Sequence, residues 1–220
     1  MTKLHLGCGR KYLEGYINID FPSSEHTVQK DLTADVYADI HGLTYPFDSI
    51  DEIRLHHVFE HFSRPTALAL LCRWRNWLRP QGVLRLETPD AIASFRQMLS
   101  PFTNFSAKQQ VMRHLFGSHE AKWAFHADGW YEHKFRITLA KLGYSNIRAV
   151  KTKWGMLRNI EITATKSDEA FGYKDYETAA EELLTMSAVR LKQEREYVVP
   201  ESERSMINVW MNSWRSAYEF

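Results

Sequence analysis

The sequence predicts an α/β protein: an open, mostly parallel sheet with crossover helices, an antiparallel hairpin at its C-terminal end, and a helical extension. Three observations carry this expectation. Strand and helix patterns alternate through the first half of the chain, as a parallel sheet requires. The first strand breaks into a Gly-x-Gly turn at Gly7-Cys8-Gly9. The next two strands end in the carboxylates Asp20 and Asp39, at the edge where the ligand crevice of such a sheet lies. The main domain is expected over 1–166, with an insertion at about 91–129, and the extension over 167–220.

The elements follow in order. Lys3–Leu6 and Ile17–Asp20 read as the first two strands, Asp35–Ile40 as a short third and Asp51–His56 as the fourth. A helix is expected from Arg64 to Leu78, because Leu68, Leu71, Trp74 and Leu78 recur at helical spacing and Arg79-Pro80-Gln81-Gly82 stops it. Val83–Thr88 is the fifth strand. A helix over Trp130–Leu142 is closed by Gly143, and Ile147–Thr152 with Asn159–Thr165 form the final hairpin. In the extension, Tyr176–Tyr197 reads as one charged amphipathic helix. Ser202–Tyr218 reads as a second, with Met206, Val209, Trp210 and Trp214 on one face.

Composition narrows the function classes. The 220 residues are 44% hydrophobic and 25% charged, which fits a globular domain with a full core. A net charge of +1 gives no footprint for nucleic acid or an anionic membrane, so neither is expected as a partner. The two cysteines, Cys8 and Cys72, form no disulfide or metal pattern, which fits a reducing, cytoplasmic setting. No apolar run reaches membrane-spanning length, and a strand starting near residue 4 leaves no room for a signal peptide. The high aromatic content, with seven Trp, suits a well-filled core or an aromatic-lined pocket equally.

The glycine turn and Asp20 suggest a nucleoside site, since glycines let the backbone approach a ligand and an acid can accept from both ribose hydroxyls. Only residues 10–19 separate Gly9 from Asp20, so the usual first crossover helix shrinks to one turn or vanishes. Little helix dipole is then available for a pyrophosphate, and Arg10-Lys11-Tyr12 stands where a third glycine would belong. Both points disfavour a nicotinamide-dinucleotide enzyme.

Four blocks in this order resemble the class I S-adenosylmethionine-dependent methyltransferases, most closely a small bacterial type-11-like subgroup found with polysaccharide or secondary-metabolite genes. They are Leu4-His5-Leu6-Gly7-Cys8-Gly9 with Gly15-Tyr16-Ile17-Asn18-Ile19-Asp20; Ala34-Asp35-Val36-Tyr37-Ala38-Asp39-Ile40; Tyr45-Pro46-Phe47 through His57-Val58-Phe59-Glu60-His61-Phe62; and Leu78-Arg79-Pro80-Gln81-Gly82-Val83-Leu84. The resemblance covers about residues 3–90, with a weaker echo over 130–165. It implies a Rossmann-like methyltransferase sheet and S-adenosylmethionine as cofactor. It further implies that Leu6, Gly7, Cys8 and Gly9 run along the methionine and ribose, and that Asp20 holds the ribose hydroxyls. Asp39 or Ile40 would then lie near the adenine, and the His56–His57 segment below the sulfonium, facing the acceptor.

Several residues have competing readings. Asp39 before a loop is equally suited to capping a turn. His57-x-x-Glu60-His61 matches an inverted zinc-peptidase string, but it follows a strand directly and lacks the long helix that motif needs, so no metal is expected. Glu60 and His61 are expected to fix a tautomer or cap the next turn, with His61 also facing the acceptor. The acceptor pocket is expected from the insertion, with His126, Asp128, Trp130 and Tyr131, alongside His119 and His133. His57 or His126 is the expected general base. The expected reaction is O-methylation of a small hydroxylated acceptor such as a sugar. A non-catalytic binding module on the same fold is the alternative. The C-terminal helices are expected to pack on the domain, to form a homodimer interface, or to act as a lid.

Overall fold

The computed structural model describes residues 1–28, 31–193 and 196–219. Its main sheet has seven strands: β1 (Lys3–Leu6), β2 (Ile17–Asp20), β3 (Val36–Tyr37), β4 (Ile50–His56), β5 (Leu78–Pro89), β6 (Tyr144–Trp154) and β7 (Leu157–Lys166). The order across the sheet is 3-2-1-4-5-7-6. Strands β1 to β5 run parallel, and β7 inserts antiparallel between β5 and β6. Leu4, Leu6, Ile53, Leu55, Leu84 and Leu86 alternate along the central strands, and the register aligns them as one buried apolar face of the sheet.

No helix joins β1 to β2, and the connection is instead organised by one buried side chain. Asn18 accepts from the Leu13 amide at 2.9 Å and donates to the Leu13 and Tyr16 carbonyls at 3.0 and 3.1 Å. Its Oδ1 also lies 3.0 Å from Nδ1 of buried His5. A residue that reads as part of an ordinary strand thus replaces the missing crossover helix, satisfying loop backbone groups that water would otherwise have to solvate.

The third strand is shorter than expected. Asp39 leaves β3 and caps a 3-10 turn over Ile40–Gly42, accepting from the His41 amide at 2.9 Å. The long helix α1 (Arg64–Trp77) buries Leu68, Leu71 and Trp74 against the sheet. β5 then begins at Leu78, with a register shift against β4 over the Arg79–Gly82 segment. The insertion forms α2 (Ala91–Leu99) and α3 (Phe105–Phe116), each started by an Asx cap, Asp90 and Asn104. The next helix, α4, covers Glu132–Lys141, so Trp130 precedes it, and Gly143 follows at φ +77.

The extension departs most from the sequence pattern. In place of one helix over Tyr176–Tyr197 there are α5 (Tyr173–Thr185) and a hairpin of β8 (Leu191–Gln193) and β9 (Glu196–Val198); residues 194 and 195 lie outside the described residues. The last helix, α6 (Glu201–Glu219), buries Ile207, Met211 and Trp214, while Val209 is 62% exposed and Met206 and Trp210 only half-buried. The packed stripe is therefore Ile207, Met211, Trp214, not the face read from Met206 and Val209. It is selected by α1, whose Arg73 donates to the Ala217 carbonyl and whose Asn76 donates to the Tyr218 hydroxyl. Buried Arg75 completes the clasp through Gly143, Tyr176 and Glu169. Among the described residues no helix is long and apolar enough to cross a membrane.

Candidate functional site

At the C-terminal edge of β1, β2 and β4 a cleft of about 910 Å³ opens, within the size range of small-molecule sites. Gly7, Cys8, Gly9, Asp20, Asp39, Ile40, His56, His57 and His61 all line it. These residues are spread over 55 positions of chain and meet because three neighbouring parallel strands end side by side.

The glycine turn is built for close approach. Gly7 and Gly9 adopt φ of +67° and +53°, and the Gly7 and Cys8 amides both donate to the Ile19 carbonyl. A Cβ on Gly7 would stand 2.3 Å from Val58 Cγ2, so this glycine is demanded by packing as well as by φ. The Gly9 amide donates to Asp20 Oδ2 at 2.6 Å. Asp20 Oδ1 accepts from the Phe21 amide at 2.7 Å and lies 3.1 Å from His26 Nε2. The carboxylate is buried at the cleft wall with each oxygen already anchored, and a diol bound there must share it with His26. Cys8 stays a thiol: burial and the neighbouring Asp20 push it up to about 11.

The second wall carries Ala38, Asp39, Ile40 and His41. Asp39 performs the capping role: its Oδ1 takes both the His41 amide and a 2.7 Å contact with His41 Nδ1.

At the third wall β4 ends in two histidines. The parallel register sets His56 opposite Glu87 of β5, and their Nε2 and Oε1 atoms lie 3.2 Å apart. Consecutive residues in a strand point to opposite faces, but His57 breaks the strand at φ +55°, uncommon for a non-glycine residue. This turn brings both rings to one side, with centroids 5.0 Å apart and His57 Nε2 3.6 Å from the same Glu87 oxygen. His57 Nδ1 lies 3.1 Å from Oε1 of buried Glu60, placed below it by a 3-10 turn over Phe59–His61. Burial opposes charge on His57, yet the Glu60 and Glu87 carboxylates outweigh it and hold the ring up to about 9. Burial likewise works against charge on both acids, and their histidine partners carry each below the ordinary carboxylate range. Two flanking carboxylates thus favour the charged form of the His57 ring.

The residues expected to build an acceptor pocket, His126, Asp128, Trp130 and Tyr131, are not among those that line this cleft. His126 is pushed down to about 4 by burial, with Nδ1 unpartnered, and packs edge-on against His61. Asp128 is tied to Arg64 and Lys134 at 3.3 and 2.6 Å. Trp130 is a core residue, 4.8 Å from the Phe59 ring and stacked on Phe135. Tyr131 starts α4, His119 stacks on Phe125 at the surface and His133 is exposed. Leu6 is fully buried in β1 below the turn.

The insertion and the hairpin instead contribute Trp123 and Trp154, and the loop after β2 contributes His26. Trp123 packs against His26 at 5.0 Å and donates its indole N–H to the Glu25 carbonyl. The sequence held no local signal for these three, because each arrives from a different and distant part of the chain, Trp154 from the end of β6. None of the described residues of the extension lines the cleft.

No protein-family model matches the chain, and no curated protein matches it in sequence. Solved structures do. A chain of the Haloferax volcanii complex between the Trm112 methyltransferase activator and the methyltransferase named as its partner superposes with a TM-score of 0.51 at 12% identity. The match covers 78% of this chain and 84% of that one. This chain has the class I methyltransferase fold. A SAM-dependent methyltransferase of Methanosarcina mazei matches at 15% identity over 76% of this chain and 93% of its own, with a TM-score of 0.49. A Burkholderia thailandensis 1,6-didemethyltoxoflavin-N1-methyltransferase, solved with S-adenosylhomocysteine, matches at 13% identity over 76% and 71%, also at 0.49. On the methyltransferase fold the strand-end cleft is the general ligand position.

Proposed function

We propose that the protein is an S-adenosylmethionine-dependent methyltransferase that O-methylates a small hydroxylated acceptor of sugar type. One observation carries the reading: a single cleft unites the Gly7–Gly9 turn, Asp20, the Asp39–Ile40 turn and the His56–His57 strand end. When bound, S-adenosylmethionine supplies an electrophilic methyl group for in-line displacement by a nucleophile. Gly7, Cys8 and Gly9 would hold its methionine and ribose through their backbone, and the Asp20 carboxylate would accept from the ribose hydroxyls, sharing its oxygens with His26. The segment at Asp39 and Ile40 flanks the adenine.

His57 faces the acceptor. Its ring, oriented by Glu60, presents Nε2 as a hydrogen-bond donor and a positive charge. The acceptor reading rests on the cleft lining, where Trp123 and Trp154 offer aromatic faces for the apolar face of a sugar ring while His56, His57 and His61 offer polar partners. Positioning acceptor and methyl in line, with water excluded, is the chief contribution such a site makes, and the hydroxyl proton released on transfer passes to His56, whose ring lines the cleft beside the Glu87 carboxylate.

Calorimetric titration of the purified chain with S-adenosylmethionine and S-adenosylhomocysteine tests the cofactor. Binding in the micromolar range is expected, and no binding at millimolar ligand with the fold intact overturns the reading. Mass-spectrometric screening of hydroxylated acceptors for a gain of one methyl group tests the acceptor class. A product methylated only on nitrogen overturns the O-methylation part alone.

A further inference from the structure

We propose that His56, His57 and Glu87 form a binding site for one divalent transition-metal ion of the Zn²⁺ or Co²⁺ type on the inner wall of the cleft. Three geometric facts carry this. First, both imidazoles converge on one oxygen: His56 Nε2 and His57 Nε2 stand 3.2 and 3.6 Å from Glu87 Oε1. Tetrahedral ligands at zinc bond lengths stand ~3.4 Å apart. All three donor atoms lie within 4.8 Å of one another, and an ion bound there takes the place of the proton on His57 Nε2, which is released.

Second, the convergence is imposed by the backbone and goes against strand geometry. His56 and His57 would face opposite sides of the sheet were it not for the left-handed turn at His57. A left-handed conformation is uncommon for a non-glycine residue, and such backbone strain gathers at functional sites.

Third, the supporting shell is in place. His57 Nδ1 is held by Glu60, which is 2% exposed, so Nε2 faces Glu87. A carboxylate behind a histidine is how metal-ligating rings are oriented. Glu87 Oε1 is itself steadied by the Asn159 side-chain amide at 3.3 Å, and Asn159 by His114 at 2.7 Å.

Two nitrogens and one carboxylate oxygen suit a borderline ion and disfavour Mg²⁺ or Ca²⁺, and a three-ligand set leaves a coordination position open. His56 and His57 line the cleft, so that position is accessible to a small hydroxylated ligand. A second trio, Glu60, His61 and His126, also meets the distance condition. It is the weaker site because Glu60 is already engaged by His57, and His61 Nδ1 by the Phe125 carbonyl.

The site does not depend on the methyltransferase reading, and its test is kept apart from it. Chelator-treated protein, without S-adenosylmethionine, is titrated with Zn²⁺ by calorimetry and with Co²⁺ by visible absorption. The expected result is one equivalent bound with at least micromolar affinity, and Co²⁺ bands of a low-coordinate N/O site. Glu87→Gln and His56→Ala should each weaken binding by about 100-fold or more, while His119→Ala, a surface histidine, should not. Circular dichroism confirms that each variant is folded. The inference is overturned if the wild-type chain takes up no stoichiometric ion, if E87Q and H56A bind as wild type, or if only His61→Ala and His126→Ala abolish uptake. S-adenosylhomocysteine affinity of the metal-free protein is measured separately, so loss of either property leaves the other readable.

Discussion

The Gly9 amide donates to Asp20 Oδ2 at 2.6 Å, tying the end of the first strand's turn to the end of the second strand. The bond spans eleven positions of chain and replaces what a crossover helix does in longer βαβ units. The carboxylate is oriented by the turn it serves, with the Phe21 amide fixing its other oxygen. On the proposed function, ligand affinity and local order are therefore coupled at this residue.

Asp20→Asn tests that coupling. Asparagine retains one acceptor for Gly9 but loses the charge and the second acceptor. S-adenosylhomocysteine affinity should fall by roughly 10- to 100-fold, as loss of a charged hydrogen bond of about 1.5–3 kcal/mol implies. Calorimetry at matched fold content reads the change, and unaltered affinity removes Asp20 from the binding site.

Gly7 should tolerate no side chain. Gly7→Ala incurs the left-handed penalty of about 1–2 kcal/mol and a clash with Val58 costing about 1–3 kcal/mol more. Urea unfolding of G7A alone and in a Val58→Ala background separates the two. The cost should shrink in the second background by the clash component only, and equal costs in both would show that Val58 is not the obstacle.

His126 sets an acid limit on stability. Its folded pKa, about 4, lies below the unfolded value of 6.5, so the unfolded chain binds the proton more readily. Stability from this group is therefore complete above pH 6.5 and is lost as pH falls from 6.5 to about 4, by on the order of 3 kcal/mol. Urea midpoints at about pH 7 and about pH 4.5 should differ less in His126→Gln than in wild type. An identical drop in both proteins assigns the acid sensitivity elsewhere.

Trp214 is fully buried where α6 meets α1, stacked on Tyr218. Trp214→Ala should cost about 3–5 kcal/mol of stability. Because no described residue of the extension lines the cleft, S-adenosylhomocysteine affinity of the folded variant should stay within about twofold of wild type. A large affinity loss at low temperature, where the variant is folded, would make α6 part of the site.

The glycine turn, both strand-end acids and the two histidines where β4 ends were readable because each is a local pattern at the end of a strand. The insertion was misleading for a stated reason. Its polar and aromatic residues have the composition of a pocket, yet Trp130 packs into the core with Phe59 and Phe135, and Asp128 is consumed by Arg64 and Lys134. In the extension, helical periodicity marked a face on the last helix, but α1 selected the neighbouring stripe at Ile207, Met211 and Trp214.

By itself, the order of residues determined the strand sequence, the sharp glycine turn and the acids at the sheet edge, since these follow from chain stiffness and near-neighbour sterics. Only the tertiary structure decided that His56 and His57 share one carboxylate oxygen and that His57 stands between two carboxylates. Both follow from the register of β4 against β5 and from a single left-handed residue, and interstrand register is set by contacts among residues far apart in the chain.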